Sequence, residues 1–206
     1  MDKWDDLLAR IVQTEAAGAR VMIAIAGPPA AGKSFISERL QAALAPEGAE
    51  ILPMDGFHYD NAVLDQLGLR PRKGAPETFD FDGFELALRR VRDSETTIAV
   101  PTFDRNLDLS RASARLIAAS TRYVIVEGNY LLLDRAPWSG LARLFDLTLF
   151  LDAPRSELED RLMKRWTDLD YSTGDAEAKV RGNDMLNVDL VLERSLAPDI
   201  RWRSAG

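Results

Sequence analysis

At 206 residues, with 46% apolar and 29% charged positions, the chain has an ordinary soluble composition and room for one sizeable α/β core. It contains no cysteine, which excludes disulfides, thiolate catalysis and cysteine zinc sites. A net charge of −7 and a pI near 4.9 argue against non-specific nucleic-acid binding, so a polyanionic ligand needs a local concentration of positive charge.

The N-terminal stretch MDKWDDLLARIVQ is acidic, with Trp4, Leu7, Leu8, Ile11 and Val12 at helical spacing, and predicts an amphipathic helix within 1–18. It lacks the continuous apolar run of a signal peptide, and no segment approaches the roughly 20 apolar residues that span a bilayer. A cytoplasmic protein without a membrane partner is expected. VMIAIA (21–26) reads as a strand that ends abruptly in GPPAAGKS, and FISERLQAALA (35–45) follows with helical periodicity, closing before Pro46 and Gly48. EILPM (50–54) is a second strand candidate. A long polar segment then runs to Asp82, where Asp82-x-x-Glu85 reads as a capping box for the helix FELALRRVRD.

Further strands are predicted at IAVPTF (98–103, interrupted by Pro101), RYVIVEG (122–128) and LTLFLD (147–152). Pro154 stands near the start of a charged helix, SELEDRLMKRW. The region 167–187 is polar, and DLVLERS (189–195) reads as a last strand before a short tail. Apolar strands without clean alternation, separated by helices, predict a mostly parallel five-stranded sheet with helices on both faces. With no internal repeat or low-complexity block, a single domain over 1–206 is expected.

Gly27-Pro28-Pro29-Ala30-Ala31-Gly32-Lys33-Ser34 fits G-x-x-x-x-G-K-[ST] without a mismatch, and it leaves a predicted strand to open a predicted helix. Gly27 and Gly32 permit the close backbone approach that turns amide N–H groups toward phosphate oxygens, and the helix N-terminus adds partial positive charge. Lys33 is placed for the β- and γ-phosphates and the Ser34 hydroxyl for Mg²⁺. The three-layer P-loop fold follows as the expected architecture. A GTPase would carry an [NT]-K-x-D segment and a transporter ATPase an LSGGQ-like signature; neither is present, and motors and helicases need more chain. A small kinase is left as the expected class, with a non-catalytic ATP-binding regulator as the competing one.

Asp55 ends the second strand at the carboxyl edge, where open parallel sheets bind ligands. A carboxylate there can take the proton of an attacking hydroxyl or orient it, although Asp55-Gly56 is also an ordinary turn dipeptide. Glu127 ends the fourth strand beside the loop, as a Mg²⁺ or acceptor ligand or as a structural carboxylate. Arg161 and Arg165 stand four apart on one helix face, a repulsive spacing unless an anion lies between them. Glu157 and Asp160 at matching offsets also fit a plain solvated helix, and the two readings stay open. Arg70, Arg72 and Lys73 cluster in one loop, Arg105 emerges from the third strand, and His58, the only histidine, is followed by Tyr59. An acceptor is expected between the polar segment 55–84 and the strand ends at Arg105 and Glu127. A solvated loop is the other reading of the basic cluster, above all of Arg70, and a structural role is the other reading of His58; a histidine-based metal site is excluded by the count.

The segments GPPAAGKS, MDGFHYD, RPRKGAPETFD, PTFDR, VIVEGNYLL and RGNDMLN, covering most of 21–190 in this order, resemble the phosphoribulokinase, uridine kinase and pantothenate kinase group of P-loop kinases. DGFHYDNAVLDQLGLRPRKGAPETFD with EGNYLLL is most similar to bacterial proteins called fructose transport system kinases. The resemblance implies ATP and Mg²⁺, a small-molecule hydroxyl acceptor (a sugar such as fructose, with uridine or pantothenate as alternatives) and a monomer or homodimer. It implies Asp55 as base, Glu127 as the acidic residue after the Walker B strand, and a lid over 154–187 carrying Arg161 and Arg165. It further implies acceptor contacts from His58, Tyr59, Lys73 and Arg105, and it places Asn183, in RGNDMLN, near the adenine site.

Overall fold

The structure is a computed structural model that describes residues 3–203. Helix α1 (Lys3–Val12) precedes strand β1 (Val21–Ala26), and helix α2 (Lys33–Leu44) leads to β2 (Ala49–Pro53). A short helix, α3 (Asn61–Leu67), and a longer one, α4 (Phe81–Asp93), come before the strands β3 (Ile98–Asp104), β4 (Leu109–Ile117), β5 (Tyr123–Gly128) and β6 (Leu147–Asp152). The chain closes with α5 (Arg155–Thr167), α6 (Thr173–Lys179), a π-helical turn at Val180–Asp184, α7 (Met185–Arg194) and β7 (Ile200–Arg203).

The main sheet has the order β2-β5-β1-β6-β7, with every pairing parallel. Each residue of β1 is buried, which is why its sequence is uniformly apolar: a central parallel strand faces helices on both sides. Its side chains still alternate. Val21, Ile23 and Ile25 join a core with Trp4, Leu7 and Ile11 of α1, Ile36 and Leu40 of α2 and Leu158 and Leu162 of α5. Met22, Ala24 and Ala26 join the opposite core with Phe84, Leu88 and Val91 of α4, with Val191 of α7, and with Trp138 from the connection between β5 and β6. The small residues at 24 and 26 leave room for that aromatic-rich layer. Helix α1 therefore packs on the core, and it ends at Val12 rather than near residue 18.

The α/β architecture and a five-stranded sheet agree with the sequence reading, but the membership of the sheet does not. The segment expected as the third strand pairs instead with β4 in an antiparallel hairpin outside the main sheet. The register slips between Val100 and Thr102, where Pro101 cannot donate to the ladder. DLVLERS is helical: Met185, Val188 and Val191 are buried at spacing three, a period hidden by the chance alternation of Leu190 and Leu192. The fifth strand is β7, taken from the expected tail, with Trp202 edge-on to Trp4 at 6.3 Å. The proposed capping box is also displaced: Asp80 caps α4 by accepting the Gly83 N–H at 3.0 Å, and Glu85 pairs with Arg89 at 2.7 Å. Among the described residues no helix is long and apolar enough to cross a membrane.

One anchor ties the sheet to the hairpin. Arg20 is 1% exposed, and its guanidinium donates to the carbonyls of Val91 at 2.6 Å, Thr96 at 2.9 Å and Ala118 at 3.1 Å, and to Ser94 O. Planar, multivalent donation of this kind lets a buried cation fasten several loops at once.

Candidate active site

The pairing registers bring three motif segments to one place. Glu127 of β5 lies level with Ile25 of β1 on one side and Pro53 of β2 on the other. The chain therefore leaves β1 into 27–34, leaves β2 toward Asp55 and leaves β5 at Gly128, all at the carboxyl edge of adjacent strands. That is the position from which open parallel sheets bind ligands. A cavity of about 270 Å³ opens there, walled by Pro29, Ala30, Gly32, Lys33, Ser34 and Phe35 on the loop side and by Asp55, Arg105, Glu127, Gly128, Asn129 and Arg165 opposite.

The loop geometry demands its glycines. Gly27 has φ +151°, and a Cβ there would sit 2.7 Å from the Leu151 carbonyl of β6. Gly32 caps α2 with φ +90° in the left-handed region, where a side chain is strained even in open space. Because α2 starts at Lys33, its first amides have no intrahelical acceptor and face the loop mouth, a ready anion site.

Lys33 Nζ donates to the carbonyls of Gly27 at 3.0 Å and Pro28 at 2.9 Å. Burial lowers its pKa to about 8, against the opposing attraction of Glu127 and Asp55. Ser34 Oγ donates to Glu127 Oε2 at 2.9 Å. Burial pushes the Glu127 carboxyl above its ordinary value, and the negative charge of Asp55 adds to this; the Ser34 hydroxyl and Lys33 oppose it. Asp55 lies in a one-turn 3₁₀ helix (Met54–Phe57), and its Oδ2 accepts from Arg105 at 3.2 Å. Two carboxylates, Asp55 and Glu127, and three cations, Lys33, Arg105 and Arg165, thus line one small space.

Among the described residues no group of three or more His, Cys, Asp and Glu side chains converges as a metal cage. A hydroxyl and a carboxylate in contact, at the foot of an anion-binding loop, suit a hard cation that takes its remaining ligands from phosphate and water. Mg²⁺ held by Ser34 and Glu127 fits this donor set.

The two arginines that the sequence could not separate differ in place. Arg165 lines the cavity, where burial, chiefly, and the charge of Arg105 lower its pKa while Asp184 and Asp55 oppose the shift. Arg161 does not line it; its Nη1 donates to Ala30 O at 3.2 Å and its Nη2 to Glu157, so it braces the loop from outside.

Besides Arg161, four further side chains expected at the ligand sites, those of His58, Tyr59, Lys73 and Asn183, lie off the cavity wall. His58 packs against Phe79 at 4.0 Å and Phe103 at 4.9 Å, with Nδ1 2.8 Å from Asp55 O, which holds the backbone carrying Asp55. Tyr59 joins the same turn through its N–H to Thr78 O at 3.0 Å. Lys73 Nζ is occupied by Asn61 Oδ1 at 2.7 Å and by Asp108, through O and Oδ1, at 2.8 Å. Asn183 accepts from Arg72 at 2.7 Å and donates to Lys73 O at 2.8 Å. Conversely, Phe35 and Asn129 are wall residues for which the sequence reading gave no separate role; each lies within two residues of a motif side chain, and that adjacency was the available signal.

Comparison with known proteins agrees with this geometry. The model of the phosphoribulokinase/uridine kinase family matches residues 22–167. A Schizosaccharomyces pombe protein named "putative uridine kinase" is 32% identical over 97% of this chain and 90% of its own length. Pantothenate kinase of Limosilactobacillus reuteri is 30% identical over 80% of this chain and 55% of its own length. A solved structure from Silicibacter sp. TM1040, described as a "putative fructose transport system kinase", superposes with a TM-score of 0.90 at 39% identity, covering 96% of this chain and 97% of that one. Strand, loop and carboxylates converge on the same conclusion: the chain belongs to the phosphoribulokinase/uridine kinase family of P-loop kinases, phosphotransferases with a hydroxyl acceptor.

Proposed function

We propose that the protein transfers the γ-phosphoryl group of ATP, with Mg²⁺, to a hydroxyl of a small polyhydroxylated molecule, with a sugar such as fructose as the first acceptor to test. The observation that carries this is the shared cavity of Lys33, the Ser34–Glu127 pair and the Asp55–Arg105 pair, donor side and acceptor side facing each other.

In this reading the amides of 27–34 and Lys33 hold the β- and γ-phosphates. Ser34 and Glu127 hold Mg²⁺, which when bound neutralises phosphate charge. Asp55 accepts the proton of the acceptor hydroxyl as its oxygen forms the new bond to the γ-phosphorus. The bond from that phosphorus to the β,γ-bridging oxygen breaks, its electron pair leaving with ADP. Arg105 orients Asp55 and contacts the acceptor, and Arg165, on the lid helix α5, neutralises charge on the group in transit. Positioning and electrostatics supply the catalysis. Two features support a sugar over a nucleoside: the acceptor wall is polar (Asp55, Arg105, Asn129), and Phe35 is the one aromatic ring lining the cavity among the described residues, next to Ser34 on the donor side. ATP as donor also fits the cytoplasmic location expected from the sequence.

Asp55→Asn preserves size and the contact with Arg105 but cannot take a proton. It should lower kcat by roughly 10²–10⁴ while ATP affinity changes less than about threefold. A matching loss of ATP binding would remove Asp55 from the role of base.

A further inference from the structure

Three consecutive residues outside the cavity are each bonded to a different segment of the chain that neighbours a wall residue in sequence or leads to one. The Arg72 guanidinium donates through Nη1 to Asn183 Oδ1 at 2.7 Å and through Nη2 to Asn187 Oδ1 at 3.5 Å. Asn183 returns a bond from Nδ2 to Lys73 O at 2.8 Å. Lys73 Nζ bonds Asn61 and Asp108, and Asp108 lies in the hairpin turn three residues beyond Arg105. The Gly74 carbonyl accepts the Tyr130 hydroxyl at 2.6 Å, and Tyr130, fully buried, directly follows the wall residue Asn129. None of Arg72, Lys73 and Gly74 lines the cavity itself.

The connection toward the lid continues past Asn183. This residue belongs to the π-helical turn Val180–Asp184, a distortion that frequently accompanies functional sites. Its neighbour Asp184 accepts the Trp166 Nε1–H at 2.6 Å, and Trp166 is the residue after Arg165. A continuous run of bonds therefore joins Arg72, Asn183, Asp184, Trp166 and Arg165. Two details tell against an incidental contact. The bond between Asn183 and 72–73 is reciprocal, which fixes the amide's orientation. Asn187, which shares the guanidinium, is 2% exposed, so the pairing reaches a buried polar group that requires a partner.

We propose that segment 72–74 is a positioning hub for phosphoryl transfer, and that Arg72, acting through Asn183, sets where Arg165 stands over the transferring group. The inference rests on the reading of Arg165 given above. It also explains why Arg72 and Lys73 stand outside the cavity: their side chains are taken up by Asn183 and Asn187 and by Asn61 and Asp108. The hub links the acceptor-side loops to the lid helix, so the arginine that meets the γ-phosphoryl group is set by the same segment that fixes the hairpin carrying Arg105.

The test needs no acceptor. The affinities of the full-length protein for ADP and for the imido analogue of ATP, both with Mg²⁺, are measured by calorimetry. The readout is the preference for the analogue, which reports contact with the γ-phosphoryl group. Arg165→Ala should lower that preference about tenfold, the weight of one charge-assisted hydrogen bond. Arg72→Ala should lower it at least about threefold, and the double variant should fall no further than Arg165→Ala alone. Asn183→Ala approaches the same bond from the other side without removing a charge and should reproduce the loss. A merely structural bond would lower thermal stability and weaken both nucleotides alike, leaving the preference unchanged. The hub is overturned if Arg72→Ala and Asn183→Ala keep the wild-type preference, or if the two arginine losses multiply. If Arg165→Ala itself changes nothing, the reading of Arg165 falls, and the hub with it.

Discussion

Binding of ATP should be linked to uptake of a proton by Lys33. Burial holds the pKa of this lysine at about 8 against an ordinary value of 10.5. Charging it inside the folded protein therefore costs about 3 kcal/mol more than in water. The sign follows from the depressed value. Between about pH 8 and 10.5 the unfolded chain carries this proton and the folded chain does not, so the Lys33 contribution to stability is unfavourable below pH 8 and is relieved as the pH rises through that window. Triphosphate against the ammonium should return the bound pKa to at least its ordinary value. At pH 7 about nine-tenths of the free protein is already protonated, and uptake on binding is about 0.1 proton; at pH 9 uptake is about 0.9 proton and affinity about tenfold weaker. Calorimetric titration with ATP in buffers of differing ionisation enthalpy reads both quantities. Lys33→Arg, always charged, should show neither. Uptake below about 0.2 proton at pH 9 with unchanged affinity would refute the reasoning, because Lys33 would then not meet the phosphates.

Glu127→Gln should raise the Mg²⁺ concentration for half-maximal turnover about tenfold and remove an acid limb that lies above the ordinary carboxylate value of 4.5, since burial raises this carboxyl; turnover against Mg²⁺ and against pH reads both. Arg20→Ala leaves four backbone carbonyls without their donor and should cost about 3 kcal/mol or more in denaturant unfolding. His58, whose pKa burial lowers below 6.5, should be neutral at pH 7 and give turnover no inflection near 6.5; its contribution to stability falls only as acid takes the pH below 6.5 toward the folded value.

The donor half of the site was legible because its chemistry is local. Eight contiguous residues specify the loop, and the strand before them and helix after them are strongly patterned. Asp55 and Glu127 were legible because each stands within two residues of the end of an apolar strand, Asp55 just past β2 and Glu127 just before the end of β5, and parallel pairing brings strand ends together. The acceptor half was legible only at Asp55 and Arg105, because the rest is made by contacts distant in sequence. Nothing near Lys73 announces that Asn61 and Asp108 occupy its ammonium, 12 and 35 positions away. Nothing near Asn183 announces Arg72, 111 positions away. The hairpin escaped for a different reason: most of β4 is exposed on both faces, so it has no apolar alternation to read. The strand β7 escaped because only Ile200 and Trp202 turn inward, too short a pattern to distinguish from a tail.

Acceptor-dependent release of ADP tests the central claim most directly. The protein is incubated with Mg²⁺ and ATP alone and then with fructose, other sugars, uridine and pantothenate, and the acceptor is recovered for analysis. At least one polyhydroxylated acceptor should raise ADP release about tenfold or more over the ATP-only rate and be recovered as its monophosphate, with the increase lost in Asp55→Asn. Tight Mg²⁺-ATP binding without acceptor stimulation by any member of the panel would contradict it.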